Sequence, residues 1–216
     1  MNHARIIFAV ILAVAWAVPA MAGPEHDHHD GHATGHAVGH QPGQMAPDFE
    51  LADQTGITHR LSDYRGQIVV LEWTNPTCPF VQRHYTAGNT TMLDTQASFA
   101  DDGVVWLGID SSNYVTAESA SAWAGSKEIS WPILLDAAGD VGRMYEARTT
   151  PHMFVIGRDG KVLYNGAIDD DPRGQNDEVN NYVEAALTAA LAGDAVEMAQ
   201  TRPYGCSVKY APASSK

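Results

Sequence analysis

The stretch that decides the fold runs from residue 68 to residue 81 and reads Ile68-Val-Val-Leu-Glu-Trp73-Thr-Asn-Pro-Thr-Cys78-Pro-Phe-Val81. Its first six residues form a β-branched apolar run, which is typical of a buried strand. Pro79 suits the first position of a helix, because it lacks the backbone N–H that would have no partner there. Cys78 is then predicted to cap this helix, where unpaired N–H groups and the positive helix end lower the thiol pKa below about 8.5. The pattern predicts a reactive cysteine, and the alternative is a buried cysteine that packs as a small apolar residue.

Downstream of Cys78, segments with the apolar patterns of strands and helices alternate along the chain. A long helix is predicted from Pro79 to about Ala100, with an interruption near Gly88. Further strands are predicted at residues 104–109, 153–156 and 161–165, and further helices at residues 117–125 and 141–146. The last helix is predicted from seven residues that share one face at helical spacing: Val179, Tyr182, Val183, Ala186, Leu187, Ala190 and Leu191. This order predicts an α/β fold with a central mixed β-sheet flanked by helices.

The composition excludes several classes of protein. The 216 residues are 44% hydrophobic, which excludes a collagen-like or wholly disordered chain. Asp and Glu number 26 against 13 Lys and Arg, and the net charge of −13 repels phosphate backbones, so we expect no nucleic-acid partner. Two cysteines are too few for a disulfide scaffold or a thiolate zinc cage.

Residues 1–22 have the three-part pattern of a secretory signal peptide. One basic residue precedes the apolar run from Ile6 to Val18, and Ala20-Met21-Ala22 offers a cleavage site. The run is shorter than the roughly 20 residues that a membrane span needs, so we expect no membrane insertion after cleavage. The mature protein is expected to be periplasmic or secreted, in an oxidising compartment where two cysteines can pair.

Residues 23–44 form a leader rich in Gly, His and Asp. Such a segment cannot bury enough apolar surface to offset the entropy of ordering, so it is predicted to be disordered. Neutral imidazole is a common ligand of zinc, copper and nickel, and the leader is a candidate site for one of these metals. The alternative is a soluble spacer that binds metal only weakly. The candidate ligands are His26, His28, His29, His32, His36 and His40.

Three more stretches surround the cysteine motif: A-P-D-F-E-L at residues 46–51, L-S-D-Y-R-G at 61–66 and T-T-P-H-M-F-V-I at 149–156. With them the chain resembles the thioredoxin-like superfamily over residues 45–195, specifically the redoxin branch of alkyl hydroperoxide reductases and thiol-specific antioxidant proteins. The resemblance implies a redoxin domain at residues 45–198, with Cys78 as its nucleophile. It also implies that Pro151 is a cis-proline. This proline would lie against the sulfur of Cys78 and pair with the backbone of the substrate. Glu72 matches a buried acid that moves protons, and its alternative is a strand carboxylate facing solvent.

The C-x-x-C motif of thioredoxins is broken here, because Val81 stands where the second cysteine would be. The chain's other cysteine, Cys206, lies in a tail, residues 199–216, that looks irregular. One hypothesis is that Cys206 resolves a mixed disulfide formed at Cys78, since exchange requires only that one thiolate reach the other sulfur. Gly205 would give the tail the flexibility to do so. The alternatives are a structural disulfide that ties down the tail and a free thiol used in dimerisation.

Peroxiredoxins of the same superfamily carry a Thr or Ser three residues before the cysteine, a Pro seven residues before it, and an Arg beside it. This chain has Asn75 and Leu71 at the first two positions. Pro151 occupies the place where that Arg would enter, and Arg148 is the nearby candidate to replace it. These differences argue against an efficient peroxidase.

These features predict a periplasmic thiol–disulfide oxidoreductase that uses Cys78 and requires no cofactor. Its expected partners are protein or small-molecule thiols and disulfides. A thiol peroxidase that consumes peroxide is the second hypothesis. The third is a metal-binding protein that adds Cys78, His84 and His152 to the leader as soft ligands. Relatives that deliver copper carry C-x-x-x-C, and Gln82 stands at its last position here.

Overall fold

The computed structural model describes residues 40–212, and a five-stranded mixed sheet forms the centre of this part of the chain. The strands within residues 40–212 are β1 (Glu50–Ala52), β2 (Thr58–Arg60), β3 (Val69–Trp73), β4 (Val105–Asp110), β5 (Ile133–Leu135), β6 (Thr149–Thr150), β7 (His152–Ile156), β8 (Val162–Gly166) and β9 (Cys206–Ser207). The central sheet has the order β5-β4-β3-β7-β8. β3 and β5 run parallel to β4, whereas β7 runs antiparallel to β3 and β8. The predicted α/β fold with a central mixed sheet is confirmed.

The helices of the same range are α1 (Pro79–Gln82), α2 (Thr91–Phe99), α3 (Ala117–Lys127), α4 (Asp140–Met144) and α5 (Tyr182–Ala192). The helix predicted from Pro79 to Ala100 is therefore interrupted, as expected near Gly88. A 3-10 turn at Arg83–Tyr85 follows α1, and Gly88 has a φ of +88°, a conformation that glycine adopts without the steric cost a side chain brings.

The central sheet separates two apolar cores, because side chains of a strand alternate between its faces. In β3, Val70 packs in the same cluster as Cys78, whereas Leu71 and Trp73 pack on the opposite side. Helices α2, α3 and α5 cover the Cys78 side, and α4 covers the other. Each large apolar side chain buried in this way stabilises the fold by about 1.5–3 kcal/mol. Both cores together fix the end of β3, where the cysteine loop begins.

The last helix begins later than its apolar pattern predicts. Asn181 caps α5, and its side chain accepts a hydrogen bond from the backbone N–H of Glu184 (3.0 Å). Val179 was expected on the buried face, but it precedes the cap and is 46% exposed. The helix begins where the Asn181 side chain caps it, and the apolar spacing, which includes Val179, had placed the start about one turn too early. Gly193 ends the helix with a φ of +79°.

The first described residues belong to the predicted leader, yet they pack against the sheet. The backbone N–H of Gly43 donates to the Val162 carbonyl (2.8 Å), and the Val162 N–H donates to the Gln44 carbonyl (2.9 Å). Residues 43 and 44, which the prediction assigned to the leader, therefore extend the edge of β8. The predicted signal peptide and the other five leader histidines lie outside the described residues. Within residues 40–212, no helix is both long and apolar enough to cross a membrane.

The C-terminal tail, expected to be irregular and flexible, is attached along its length to the domain. The Thr201 N–H donates to the Asn165 carbonyl (3.1 Å), and the Val208 N–H donates to the Arg148 carbonyl (3.2 Å). Further along, the Tyr210 hydroxyl donates to the Ala147 carbonyl (2.8 Å), which follows α4. Between these attachments, β9 pairs with β6.

Candidate active site

Cys78 lies at the N-cap of α1, directly after the loop that follows β3, with Pro79 in the first helical turn as predicted. The residue is buried, with 2% of its surface exposed. Its thiol donates a hydrogen bond to the carbonyl oxygen of Thr150, with a distance of 3.0 Å between sulfur and oxygen. Because α1 has only four residues, the helix end contributes less to the thiolate than the sequence pattern suggests, and the hydrogen bonds around the sulfur matter more.

Asn75 fixes the loop that presents Cys78. Its side-chain oxygen accepts hydrogen bonds from the backbone N–H and the hydroxyl of Thr77, both at 2.7 Å. Its amide nitrogen donates to the Ser112 hydroxyl (2.7 Å) and to the Tyr114 hydroxyl (2.9 Å). Sequence reasoning considered Asn75 only as a missing peroxidase residue. The Asn-Pro pair was the available signal, since Asn side chains commonly bond the backbone two residues on.

The second cysteine lies beside the first. In the antiparallel pair of β6 and β9, Thr150 is opposite Cys206. Cys206 packs against the apolar cluster that contains Cys78, and each thiol shifts the pKa of the other. The Thr150–Pro151 peptide bond is cis, as the resemblance implied. Both cysteines are free thiols here, Cys78 buried and Cys206 partly exposed. The structure therefore brings together Cys78, Pro151 and Cys206.

Gly205 makes this close approach of the tail possible. Its φ is +132°, and a Cβ at this position would lie 2.0 Å from the carbonyl oxygen of Thr150. Real Cβ atoms do not approach a backbone oxygen so closely, so any other residue would push β9 away from β6. Gly205 was predicted to give the tail flexibility, but in the structure it allows the tail backbone to lie close to the Thr150 carbonyl.

The two thiols differ in acidity. Burial opposes ionisation of Cys78, but hydrogen bonds from the Thr150 side chain, the Cys206 side chain and backbone, and the Val81 backbone outweigh it, so its pKa is lowered. Burial, the hydrogen bond to Cys78 and the negative charge of Cys78 raise the pKa of Cys206 to about 11. Cys78 is therefore the more acidic thiol of the pair, and Cys206 the less acidic one.

Glu72 is fully buried on the Cys78 side of β3, so it is not the solvent-facing carboxylate of the alternative interpretation. Burial raises the pKa of its carboxyl, and hydrogen bonds from Tyr85 and Trp106 oppose the rise. The Tyr85 hydroxyl lies 2.8 Å from both carboxylate oxygens, and the Trp106 indole nitrogen lies 3.1 Å from one of them. Among the described residues, these two side chains hold the carboxylate, and neither sulfur bonds to it directly.

Tyr204, two residues before Cys206, anchors the tail beside α1. Its hydroxyl donates to the buried carboxylate of Asp169 and lies 3.1 Å from Nε2 of His84. Its ring packs on Phe80, with ring centroids 6.2 Å apart. Arg83 lies 3.5 Å from the same carboxylate. Sequence reasoning missed Tyr204, for which the only signal was an aromatic residue close to a cysteine.

Two histidines proposed as soft metal ligands beside Cys78 are buried and neutral. Burial, with the nearby charge of Arg83, lowers the pKa of His84 to about 3. His152 alternates with Met153 along β7 and shares its face with Phe154, in the core opposite Cys78. Burial lowers its pKa to about 4. The proposed ligand set of Cys78, His84 and His152 was wrong, because His152 lies across the sheet from the sulfur.

Within residues 40–212, no three His, Cys, Asp or Glu side chains are arranged to hold a metal ion. His40 is the one leader histidine in this range, and its Nε2 lies 3.5 Å from a carboxylate oxygen of Glu146.

The groups that a peroxide site would need are engaged elsewhere. The Asn75 amide is used in its hydrogen bonds with Thr77, Ser112 and Tyr114, as described above. Arg148, the candidate replacement for the peroxidase arginine, has a side chain that is 75% exposed and lies 3.4 Å from Glu146. Arg83 is directed to Asp169.

Comparison with known proteins bears on the same residues. The model of the AhpC/TSA family matches residues 42–165, a range that contains β3, Cys78 and the cis-proline. The chain belongs to the AhpC/TSA family. This AhpC/TSA protein is 30% identical to the thiol-disulfide oxidoreductase ResA of Geobacillus kaustophilus over 120 residues, 56% of this chain and 66% of the relative. The match thus spans just under two thirds of that relative's length.

Solved structures agree on the thioredoxin-like fold. An uncharacterised conserved protein from Geobacillus kaustophilus superimposes with a TM-score of 0.73 and 28% identity, covering 81% of this AhpC/TSA protein and 95% of the other chain. A proposed thiol:disulfide interchange protein DsbE from Chlorobium tepidum superimposes with a TM-score of 0.57 and 25% identity. The superposition covers 70% of this chain and 98% of the Chlorobium tepidum chain.

Proposed function

We propose that this AhpC/TSA protein is a periplasmic or secreted thiol–disulfide oxidoreductase in which Cys78 and Cys206 form the redox couple. The pairing of β9 with β6 carries the proposal, since it sets Cys206 opposite Thr150, the residue whose carbonyl oxygen accepts the hydrogen bond of the Cys78 thiol. Two strands from distant parts of the chain thereby substitute for the broken C-x-x-C. The names of the similar proteins, ResA and DsbE, support the activity. The signal-peptide pattern of residues 1–22 supports the location.

The cycle begins in the reduced protein, where the Cys78 thiolate attacks one sulfur of a substrate disulfide. A new S–S bond joins Cys78 to the substrate, and the other substrate sulfur leaves as a thiolate. Cys206 then loses its proton and attacks the Cys78 sulfur, which releases the second substrate thiolate. The protein becomes the Cys78–Cys206 disulfide, and the substrate gains two electrons and two protons. Since β9 covers Cys78, the first attack requires β9 to move away from β6.

Two neighbouring groups support these steps. Pro151 lies in the strand edge beside the sulfur and shapes the surface that a substrate meets. Glu72 faces the same core as Cys78, and burial raises the pKa of its carboxyl, which suits a group that takes up and releases protons. We propose that it accepts the proton that the thiols release.

The test is turnover of a small disulfide by the purified protein, compared with two variants. Cys78→Ser is expected to abolish turnover, and Cys206→Ser is expected to stop at a mixed disulfide on Cys78, visible as an adduct by mass spectrometry. A matched control combines Cys206→Ser with Ser121→Cys, an exposed position on α3, which keeps the number of cysteines but not their placement. Undiminished turnover in Cys78→Ser, or restoration by the displaced cysteine, would contradict the proposal.

Peroxide and metal define two separate expectations. With Asn75 and Arg148 engaged elsewhere, we expect thiol-dependent peroxide consumption no faster than that of free cysteine. The leader is expected to bind zinc, copper or nickel through its histidines, without a part in thiol exchange. Deletion of residues 23–39 should therefore weaken metal binding and leave disulfide turnover unchanged. Equal metal affinity after the deletion would contradict the leader's role.

A further inference from the structure

The two sulfurs of the couple are unequally accessible. Cys78 is 2% exposed and belongs to the apolar cluster between the central sheet and helices α2, α3 and α5. Cys206 lies on β9 and is partly exposed. In thiol–disulfide exchange, the attacking sulfur, the attacked sulfur and the leaving sulfur lie in one line. A thiolate that attacked Cys78 would have to arrive from the side opposite Cys206, and the burial of Cys78 leaves almost no open surface for that approach.

The accessibility of Cys78 also depends on the redox state. In the reduced protein, β9 is held over Cys78 by backbone pairing and side-chain contacts, which can open. In the oxidised protein, a covalent bond between Cys78 and Cys206 ties β9 down, so its cover stays closed. The reduced and oxidised forms therefore present different sulfurs to an external partner.

Cys206 is partly exposed, and a surface groove lies beside the residue that precedes it. A groove of about 570 Å³ runs along the tail and reaches Gly205, the residue before Cys206. Thr149 of β6 and Tyr204 of the tail line it, together with Asp170 and Arg202. It has room for a small thiol or for the cysteine of an extended peptide.

We propose that an external thiol reduces the oxidised protein by attacking Cys206, with Cys78 as the leaving thiolate. This step, which rests on the function proposed above, forms an S–S bond between the external sulfur and Cys206 and breaks the Cys78–Cys206 bond. A second external thiolate then attacks the first external sulfur, releases Cys206, and leaves as a disulfide of the external thiol. Two electrons pass to the protein, and two protons from the external thiols complete the balance.

The acidity of the two thiols favours the same direction. The thiol of lower pKa is the better leaving group, and Cys78 has a lowered pKa while that of Cys206 is raised to about 11. Attack on Cys206 thus expels the Cys78 thiolate, the better leaving group, whereas attack on Cys78 would expel the Cys206 thiolate, the poorer one.

The experiment maps the first mixed disulfide. Oxidised full-length protein, with its internal disulfide established by mass, is mixed with excess reduced glutathione and quenched in acid at successive early times. Digestion at low pH and mass spectrometry then locate glutathione on Cys78 or on Cys206. We expect most of the adduct on Cys206, because Cys78 is buried and, as the thiol of lower pKa, is the better leaving group. As control, the same protein unfolded in urea should lose most of this preference.

The outcomes separate this proposal from the proposed function. Adduct mainly on Cys78, or the same ratio in folded and unfolded protein, overturns the attack at Cys206 and leaves the redox couple intact. Failure of the internal disulfide to form under an oxidant overturns the couple itself, and this proposal with it.

Discussion

Replacing Gly205 with Ala tests whether the docked tail is what keeps Cys78 covered. The substitution places a methyl group 2.0 Å from the Thr150 carbonyl oxygen at a residue whose φ is +132°. The contact cannot be relieved by a side-chain rotation, because both groups are fixed to backbone. The variant must therefore move β9 away from β6, while the core beneath Cys78 is untouched.

The magnitude follows from the backbone strain alone. A residue other than glycine in such a conformation costs about 1–3 kcal/mol. Because about 1.4 kcal/mol is a tenfold change in an equilibrium, the lifted form of β9 should become about 5- to 150-fold more populated. Alkylation of Cys78 requires the lifted form, so its rate should rise by the same factor.

The assay measures alkylation of Cys78 by iodoacetamide in a Cys206→Ser background, so that one thiol reports. Gly193→Ala is the matched control, since Gly193 also has a positive φ (+79°) but has no atom within 4 Å of an added Cβ. It should lower the melting temperature by a few degrees, roughly 2–4 °C per kcal/mol, without changing the alkylation rate. An unchanged rate in Gly205→Ala, or an equal rise in Gly193→Ala, would refute the reasoning.

Buried titratable groups lead to three further expectations. His152 stays neutral in the fold with a pKa of about 4 and takes up a proton near pH 6.5 when unfolded. The contribution of the neutral imidazole to the free energy of unfolding is complete above that pH and is lost as the pH falls toward 4. Between pH 7 and 5, the free energy of unfolding in urea should therefore fall by about 2 kcal/mol more in the wild type than in His152→Gln. Glu72→Gln should slow disulfide turnover by about 10²-fold and flatten its pH profile, and an unaltered profile would exclude proton transfer by Glu72. In the reduced wild type, alkylation of Cys78 should reach its plateau at a lower pH than that of Cys206, whose pKa is about 11; coincident curves would contradict the assigned acidities.

Local patterns predicted much of the fold because the determining residues are neighbours in sequence. The apolar run of β3, the helix start at Pro79 and the break near Gly88 each depend on a few adjacent residues, and each was found. The start of α5 was misplaced, since the apolar spacing that includes Val179 says nothing about the cap at Asn181. The cis bond before Pro151 came from family resemblance, which carries tertiary information that propensities lack.

The site was less predictable because its parts are far apart in the chain. Cys206 was recognised as a candidate partner of Cys78, 128 residues away, but nothing local indicated that β9 would pair with β6. The anchor of Tyr204 on Asp169 and His84 depends on three segments meeting in space. His152 was predicted to share a ligand set with Cys78, but neighbouring residues of a strand face opposite sides of the sheet, and His152 faces away from the sulfur.

The central claim is that Cys78 and Cys206 are a working redox couple, and a redox titration tests it most directly. The protein is equilibrated in buffers of graded thiol and disulfide, alkylated and weighed, so that the fraction holding an internal disulfide is read at each potential. The account predicts one Cys78–Cys206 disulfide that is reduced at a potential above about −300 mV. A disulfide reduced only below that value would indicate a structural bridge, and no disulfide at any potential would contradict the couple.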